Sequence, residues 1–168
     1  MLMAQHADIL LYPDPRFAQP AQPRPLDAAL LEAGAQLLAT ASHHRAYGLA
    51  ATHIARVEPV VVVSLGPPES RDYHLLFNPQ ILSQSSETAP GPEGSVSLPG
   101  IEIDIVRPIS VVIAHDDAAG LRHELSLSGF AARIAQHEID QMNGIFFLDR
   151  VSRLKRDAAL RRFRKLSR

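Results

Sequence analysis

The residues best suited to chemistry lie in one short segment, Gln136-His137-Glu138-Ile139-Asp140-Gln141. It is a His-Glu-x-x-His pattern with Gln141 in place of the second histidine. The intact pattern works because residues four apart share a helical face, so two imidazoles grip one divalent ion. The glutamate between them then acts as general base to the metal-bound water. A neutral carboxamide is a much poorer ligand for such an ion. By themselves, His137 and Glu138 read better as a core histidine beside a solvated acid on an amphipathic helix.

Two further segments bear on that choice. Tyr47-Gly48-Leu49-Ala50-Ala51-Thr52-His53 is rich in small residues, as a loop lining a peptide groove needs for close backbone approach. Glu93-Gly94-Ser95-Val96-Ser97-Leu98-Pro99-Gly100 carries an acid and a serine in a glycine- and proline-bounded loop. The chain has no cysteine, which excludes disulfides, cysteine-based zinc sites and a cysteine nucleophile.

Each segment needs elements that hold it. The prolines from Tyr12-Pro13-Asp14-Pro15 to Pro25 predict an extended N-terminal arm, because each forbids continued helix. Residues 26–44 place Leu30, Leu31, Leu37 and Leu38 at helical spacing, which predicts a helix despite Gly34. The β-branched run 57–65, ending at Gly66-Pro67-Pro68, predicts a buried strand and a turn. Residues 73–77, 101–105, 109–114 and 122–127 are further strand candidates, the last two joined by a hairpin turn at Asp116-Asp117-Ala118-Ala119-Gly120. Ser128 suits an N-cap for a motif helix over 128–143, stopped at Asn143-Gly144. A basic helix is expected over 153–166. Short strands followed by a centrally packed motif helix predict an α+β fold with short mixed or antiparallel sheets, spanning 1–168 as one domain.

A net charge of −1 and 46% hydrophobic residues describe an ordinary globular chain. No apolar run approaches a membrane span, and Met1-Leu2-Met3-Ala4-Gln5-His6 lacks the regions of a signal peptide, so the expected compartment is the cytoplasm. Basic residues gather at the end: Arg150, Arg153, Lys155, Arg156, Arg161, Arg162, Arg164, Lys165 and Arg168 face only Asp157 as an acid. Such a run is either a solvated helical face or a contact for a polyanion.

In this order, the three segments closely resemble the three signature motifs of the peptide deformylase family. The likeness extends to Tyr12-Pro13-Asp14-Pro15-Arg16, Phe77-Asn78-Pro79, Arg107 and the basic last helix. It implies hydrolysis of the formyl group from N-terminal formyl-methionine, with a divalent metal (iron, zinc or nickel) held by a cysteine and two histidines. Carried over by position, Ser95 stands at the cysteine, His137 at the first histidine and Gln141 at the second. Glu138 matches the proton-handling glutamate. His53 replaces the glutamine that shares oxyanion stabilisation with a backbone N–H, here that of Val96. Two of three metal ligands are thus replaced, and an alcohol is a far weaker acid than a thiol titrating near ~8.5. The implied outcome is weak or absent metal-dependent deformylation. The alternative is a hydrolase with a rearranged site around His53, His137 and Glu138 or Glu93, and a further one is a ribosome- or peptide-binding module without catalysis.

The resemblance also implies substrate contacts from Tyr47, Gly48, Leu49, Glu93, Gly94, Glu102, Phe130 and Arg133. Arg133 stands at an aliphatic position of the family's methionine pocket, and Glu102 at an arginine that holds the peptide backbone. Arg133 is expected to line that pocket, to swing outward, or to pair with Glu102. Ser95 as a nucleophile with His53 or His137 as base is a weaker reading, because no third orienting group is evident. The remaining histidines read as surface or loop residues. The basic helix resembles the family's ribosome-docking helix, so peptide N-termini and the ribosome are the expected partners, with no membrane and no DNA.

Overall fold

Four consecutive valines organise the molecule, because both faces of their strand are covered. In the computed structural model, which describes residues 3–168, Val60 and Val62 pack against one helix while Val61 and Val63 pack against another. This follows from the two-residue alternation of a strand, and it explains why the run is apolar throughout. Met1 and Leu2 of the N-terminal segment lie outside the described residues.

The helices are α1 (Ala28–His44), α2 (Gly129–Met142) and α3 (Arg153–Leu166). The strands are β1 (Gly48–Ala50), β2 (Val60–Ser64), β3 (Tyr73–Gln84), β4 (Thr88–Gly94), β5 (Glu102–Pro108), β6 (Ser110–Asp116) and β7 (Arg122–Ser128). One five-stranded sheet has the order β1-β2-β3-β6-β7, and β4 pairs with β5 in a two-stranded sheet. Every pairing is antiparallel, so of the expected mixed or antiparallel sheets the antiparallel kind is found.

Helix α1 begins where the Asp27 side chain accepts from the Leu30 N–H at 2.8 Å. It buries Leu30, Ala33, Leu37 and Ala41, three and four residues apart, against Val60, Val62 and Phe77. Helix α2 lays Ala132, Ala135, Ile139 and Met142 on the other face of the sheet, against Val61, Val63 and Ile113. Its adjoining face, with His137, Glu138 and Gln141, is buried too. Ser128 is the N-cap residue, although its side chain makes no capping hydrogen bond, and Gly144 at φ 78° supplies the left-handed stop. Helix α3 rests Ala159, Leu160 and Phe163 on a third cluster that includes Ile101, Ile105 and Phe147.

Two strands run through segments with no strand signal. β1 is only three residues long, and β4 reads Thr-Ala-Pro-Gly-Pro-Glu-Gly. Pro90 and Pro92 are tolerated because β4 pairs only with β5, leaving its other edge free of ladder bonds. The N-terminal arm is extended except for one 3-10 turn at Pro15–Ala18, where Pro15 suits the first position and the Asp14 side chain accepts from the Arg16 N–H. It crosses the molecule through Leu10 N–H to His53 O at 2.8 Å, Tyr12 N–H to Ser97 O at 2.8 Å and Ala21 N–H to Met142 O at 2.9 Å. The arm thereby ties down the turn after β1, the loop after β4 and the end of α2.

Candidate functional site

The three segments meet at a cavity of about 500 Å³, within the ordinary range for a small-ligand site. Tyr47, Gly48 and Leu49 come to it from β1 and the residue before it; His53 comes from the short 3-10 turn Ala51–Ile54. Glu93 and Gly94 end β4, and Ser95 and Val96 follow in the loop. Phe130, Arg133, His137 and Glu138 project from α2, and Glu102 from β5. Gln141 is the exception. It is buried but absent from the cavity wall, and its amide Nε2 lies 3.4 Å from the Phe17 carbonyl oxygen of the N-terminal arm.

Gly48 sets how closely α2 can approach. A Cβ there would lie 2.9 Å from Glu138 Cγ, from Ile134 Cγ2 and from the Val62 carbonyl oxygen. Only glycine lets the motif helix lie this near β1, which puts Glu138 beside His53.

Glu93 is the hub of the polar wall. Arg107 donates to both its oxygens, at 2.7 and 2.8 Å, and Arg133 Nη1 donates to Oε2 at 2.7 Å. His137 Nδ1 lies 2.7 Å from Oε1, which fixes the ring and turns Nε2 toward the cavity. Arg107 also donates to Asp140 at 2.8 Å, and Arg150 grips Asp140 at 2.6 and 2.9 Å. Burial works against ionisation of Glu93, but the hydrogen bonds from His137 and Arg107 hold it down at about 2. For His137, burial lowers the pKa and the Glu93 hydrogen bond with the Glu138 charge outweighs it, so the net shift is upward.

Arg133 therefore neither swings outward nor pairs with Glu102, two of the three expectations. It lines the cavity and cross-links α2 to the two-stranded sheet, through Glu93 and through the carbonyl oxygens of Ala89 and Ile105, both at 2.8 Å. The physical reason is proximity: Glu93 is buried next to it, whereas Glu102 is exposed at the cavity mouth. At the rim, Tyr47 and Phe130 meet edge to face at 4.8 Å, and Arg71 lies 4.0 Å over the Tyr47 ring.

His53 faces Ser95 and Glu138. Its Nδ1 lies 3.0 Å from the Ala50 amide nitrogen and 3.2 Å from the Ala50 carbonyl oxygen, so either tautomer finds a backbone partner, and Nε2 lies 3.4 Å from Ser95 Oγ. Ser95 Oγ accepts from the Ser97 N–H at 3.1 Å. Burial, with His137 adding to it, pushes His53 down to about 3. Glu138 Oε1 is 4.0 Å from His137 Nε2, and Oε2 is 3.7 Å from His53 Nδ1 and has no hydrogen-bond partner. Burial pushes the Glu138 carboxyl up to about 7. Among the described residues, no group of three or more His, Cys, Asp and Glu side chains is placed to hold a metal ion.

The chain matches the polypeptide deformylase family model over residues 6–157. It belongs to the peptide deformylase family. A peptide deformylase-like protein of Rhizobium meliloti is 39% identical over 145 residues, covering 84% of this chain and 81% of the relative. A peptide deformylase of Mesorhizobium japonicum is 34% identical over 161 residues, covering 95% and 92%. In structure, the peptide deformylase of Ehrlichia chaffeensis superposes with a TM-score of 0.88 at 26% identity over 97% of each chain. A Met-Ala-Ser-bound peptide deformylase of Acinetobacter baumannii superposes at 0.82 and 27% identity, over 89% of this chain and 100% of that one.

Sequence reasoning missed the Arg107–Asp140–Arg150 ion network that backs the deformylase-family motif helix. A signal was present: Asp140 lies three residues after His137, on the side of the helix that also carries the motif, and a buried acid there requires a cation. No helix among the described residues is long and apolar enough to cross a membrane.

Proposed function

We propose that this chain keeps the fold and peptide groove of a peptide deformylase without the family's metal chemistry, and that it acts by binding peptide N-termini. The observation that supports this most is the donor set at the three ligand positions. The resemblance requires a thiolate and two imidazoles around one divalent ion. His137 alone offers its expected donor, with Nε2 toward the cavity and Nδ1 on Glu93. Ser95 is an alcohol whose oxygen already accepts from the Ser97 N–H and lies 3.4 Å from His53 Nε2, and the Gln141 amide lies against the Phe17 carbonyl. These donors do not fit an iron, zinc or nickel ion, which needs softer or charged ligands converging on one point.

In this reading Glu93, Arg107 and Arg133 brace the wall, Tyr47 and Phe130 form an apolar rim, and Ser95, His53, His137 and Glu138 make the polar end. Val96 and Gly94 contribute backbone, and Glu102 a charge at the mouth. The basic helix α3, with Arg161, Arg162, Arg164 and Lys165, is the proposed ribosome contact, and the cytoplasm the proposed compartment.

The test is metal analysis of the purified protein together with turnover of N-formyl-Met-Ala-Ser in the presence of added iron, zinc or nickel. The expected result is substoichiometric metal and no turnover. The competing reading, a hydrolase rearranged around His53, His137 and Glu138, has in its favour that these three side chains adjoin, at 3.7 and 4.0 Å. Stoichiometric metal with turnover abolished by Glu138→Gln would establish it instead.

A further inference from the structure

We propose that two copies of this chain join through the free edge of β7, strand to strand and antiparallel, about a two-fold axis at Ser126. The inference is independent of what the cavity binds. The five-stranded sheet ends at β1 and at β7. β1 is only three residues long, which makes it a poor template for a further strand. β7 runs the seven residues Arg122–Ser128 and pairs with β6 without a register shift. It holds no proline, glycine or lysine, and no bulge bends it away, so the devices that commonly blunt an edge are missing. Its two charged residues, Arg122 and Glu124, are opposite in sign, and Arg122 is already committed to Asp116 at 3.1 Å.

Two backbone bonds reveal which groups of β7 face outward. The Asp117 N–H donates to the Leu121 carbonyl and the Gly129 N–H to the Ile109 carbonyl, both at 2.9 Å, and both extend the β6–β7 register. Bonded pairs alternate along an antiparallel ladder, so Leu121, His123, Leu125, Leu127 and Gly129 turn their backbone groups to β6. Arg122, Glu124, Ser126 and Ser128 therefore turn theirs away from the sheet. A second β7 meets these groups in phase. An axis at Ser126 sets that residue against its own copy and Glu124 against the partner's Ser128, so outward groups face outward groups.

Charge and apolar fit select this register. An axis at Glu124 opposes two carboxylates directly, and one at Leu125 brings the same two together diagonally. With the axis at Ser126, Leu125 stands opposite the partner's Leu127 on both sides of it, as neighbouring apolar side chains at the margin of the core under α2. Glu124 then stands beside the partner's Ser128, the N-cap residue of α2. That helix has no acid in its first turn and no side-chain hydrogen bond at its cap. Glu124 is exposed, and the cations on either side of it, Arg122 and His123, pair with Asp116 and Asp117 instead. Carboxylate and helix N-terminus each supply what the other lacks. Phe130 follows soon after Ser128, so the partner's strand runs alongside the cavity rim.

The experiment is sedimentation equilibrium of the purified full-length protein over about 5 to 500 μM, a range that brackets the roughly 10–100 μM Kd expected of so short a ladder. The mean mass is expected to rise from one 18.4 kDa chain toward two. Ser126→Pro removes only an outward-facing N–H, which an edge strand tolerates, and is expected to weaken association about 10-fold or more. Glu124→Lys, a surface change that sets a cation at the partner's helix N-terminus, is expected to weaken it by a similar factor. Thermal unfolding checks that each variant is folded. Because the chain has no cysteine, single substitutions read the register directly. Ser126→Cys is expected to give disulfide-linked pairs under mild oxidation, and Glu124→Cys and Leu125→Cys are expected to stay unlinked. The mass of one chain at every concentration, association unchanged by Ser126→Pro and Glu124→Lys, or linkage through Glu124→Cys or Leu125→Cys in place of Ser126→Cys overturns the inference.

Discussion

Replacing Glu138 by glutamine removes a buried ionisable group while keeping its shape, and the consequence for stability depends on pH in a defined direction. Burial raises the Glu138 pKa from 4.5 to about 7. At about 1.4 kcal/mol per pH unit, that rise of roughly 2.5 units corresponds to about 3 kcal/mol. The folded protein holds this proton more tightly than the unfolded chain does. Stability is therefore undiminished below pH 4.5, falls as pH rises toward about 7, and stays reduced above it. In Glu138→Gln this fall is absent. Any cost of burying the amide, about 1–3 kcal/mol if it finds no partner, is independent of pH. His137 keeps Glu93 as its partner in the variant but loses the Glu138 charge that also raises it, so its own contribution, full below pH 6.5 and lost as pH rises through its folded value, shrinks in the variant and adds to the relative gain in the same direction. Glu93, held at about 2, loses its contribution only as pH falls below 4.5. Denaturant unfolding of both proteins at intervals from pH 4.5 to pH 8 should show the variant gaining about 3 kcal/mol relative to the parent across that range. In thermal melts this is a relative gain of roughly 6–12 °C for a chain of this size. Parallel stability curves over the whole range would refute the claim that burial of an unpartnered Glu138 strains the fold.

The double reversion Ser95→Cys with Gln141→His should restore stoichiometric zinc or iron binding, measured by metal analysis after dialysis; a variant that folds but stays metal-free would show that the N-terminal arm and the His53 contact have rebuilt the cavity beyond repair. Ribosome pelleting should fall steeply between about 50 and 200 mM salt if the basic face of α3 contacts RNA, and Arg161→Gln with Arg162→Gln should weaken it; retention insensitive both to salt and to these changes would end the ribosome proposal.

How much was legible beforehand depended on how local the cause was. Helices α1, α2 and α3 and strand β2 follow from apolar spacing within a dozen residues, so their positions could be read directly. β4 could not, because Pro90, Gly91 and Pro92 oppose strand formation. It exists because β5 lies alongside with its register from Thr88 opposite Pro108 to Gly94 opposite Glu102. The cavity wall was legible through the motif resemblance, and the structure brings those residues together apart from Gln141. The state of each side chain was not legible. Arg133 is 40 positions from the Glu93 that holds it, and Gln141 is 124 positions from the Phe17 carbonyl beside it.

The amino-acid order alone settles which donors this protein owns: no thiol anywhere, an alcohol and an amide where a thiolate and an imidazole are expected, and one intact His-Glu pair. Tertiary packing alone decides how those donors are employed. It commits the Arg107 and Arg133 guanidiniums to Glu93, turns His53 Nδ1 onto the Ala50 backbone, and leaves Glu138 Oε2 buried without a partner. The division has a physical cause. Residue type sets what a group can donate, accept or ionise, whereas satisfaction and desolvation depend on neighbours that only the folded chain brings within 3 Å or so.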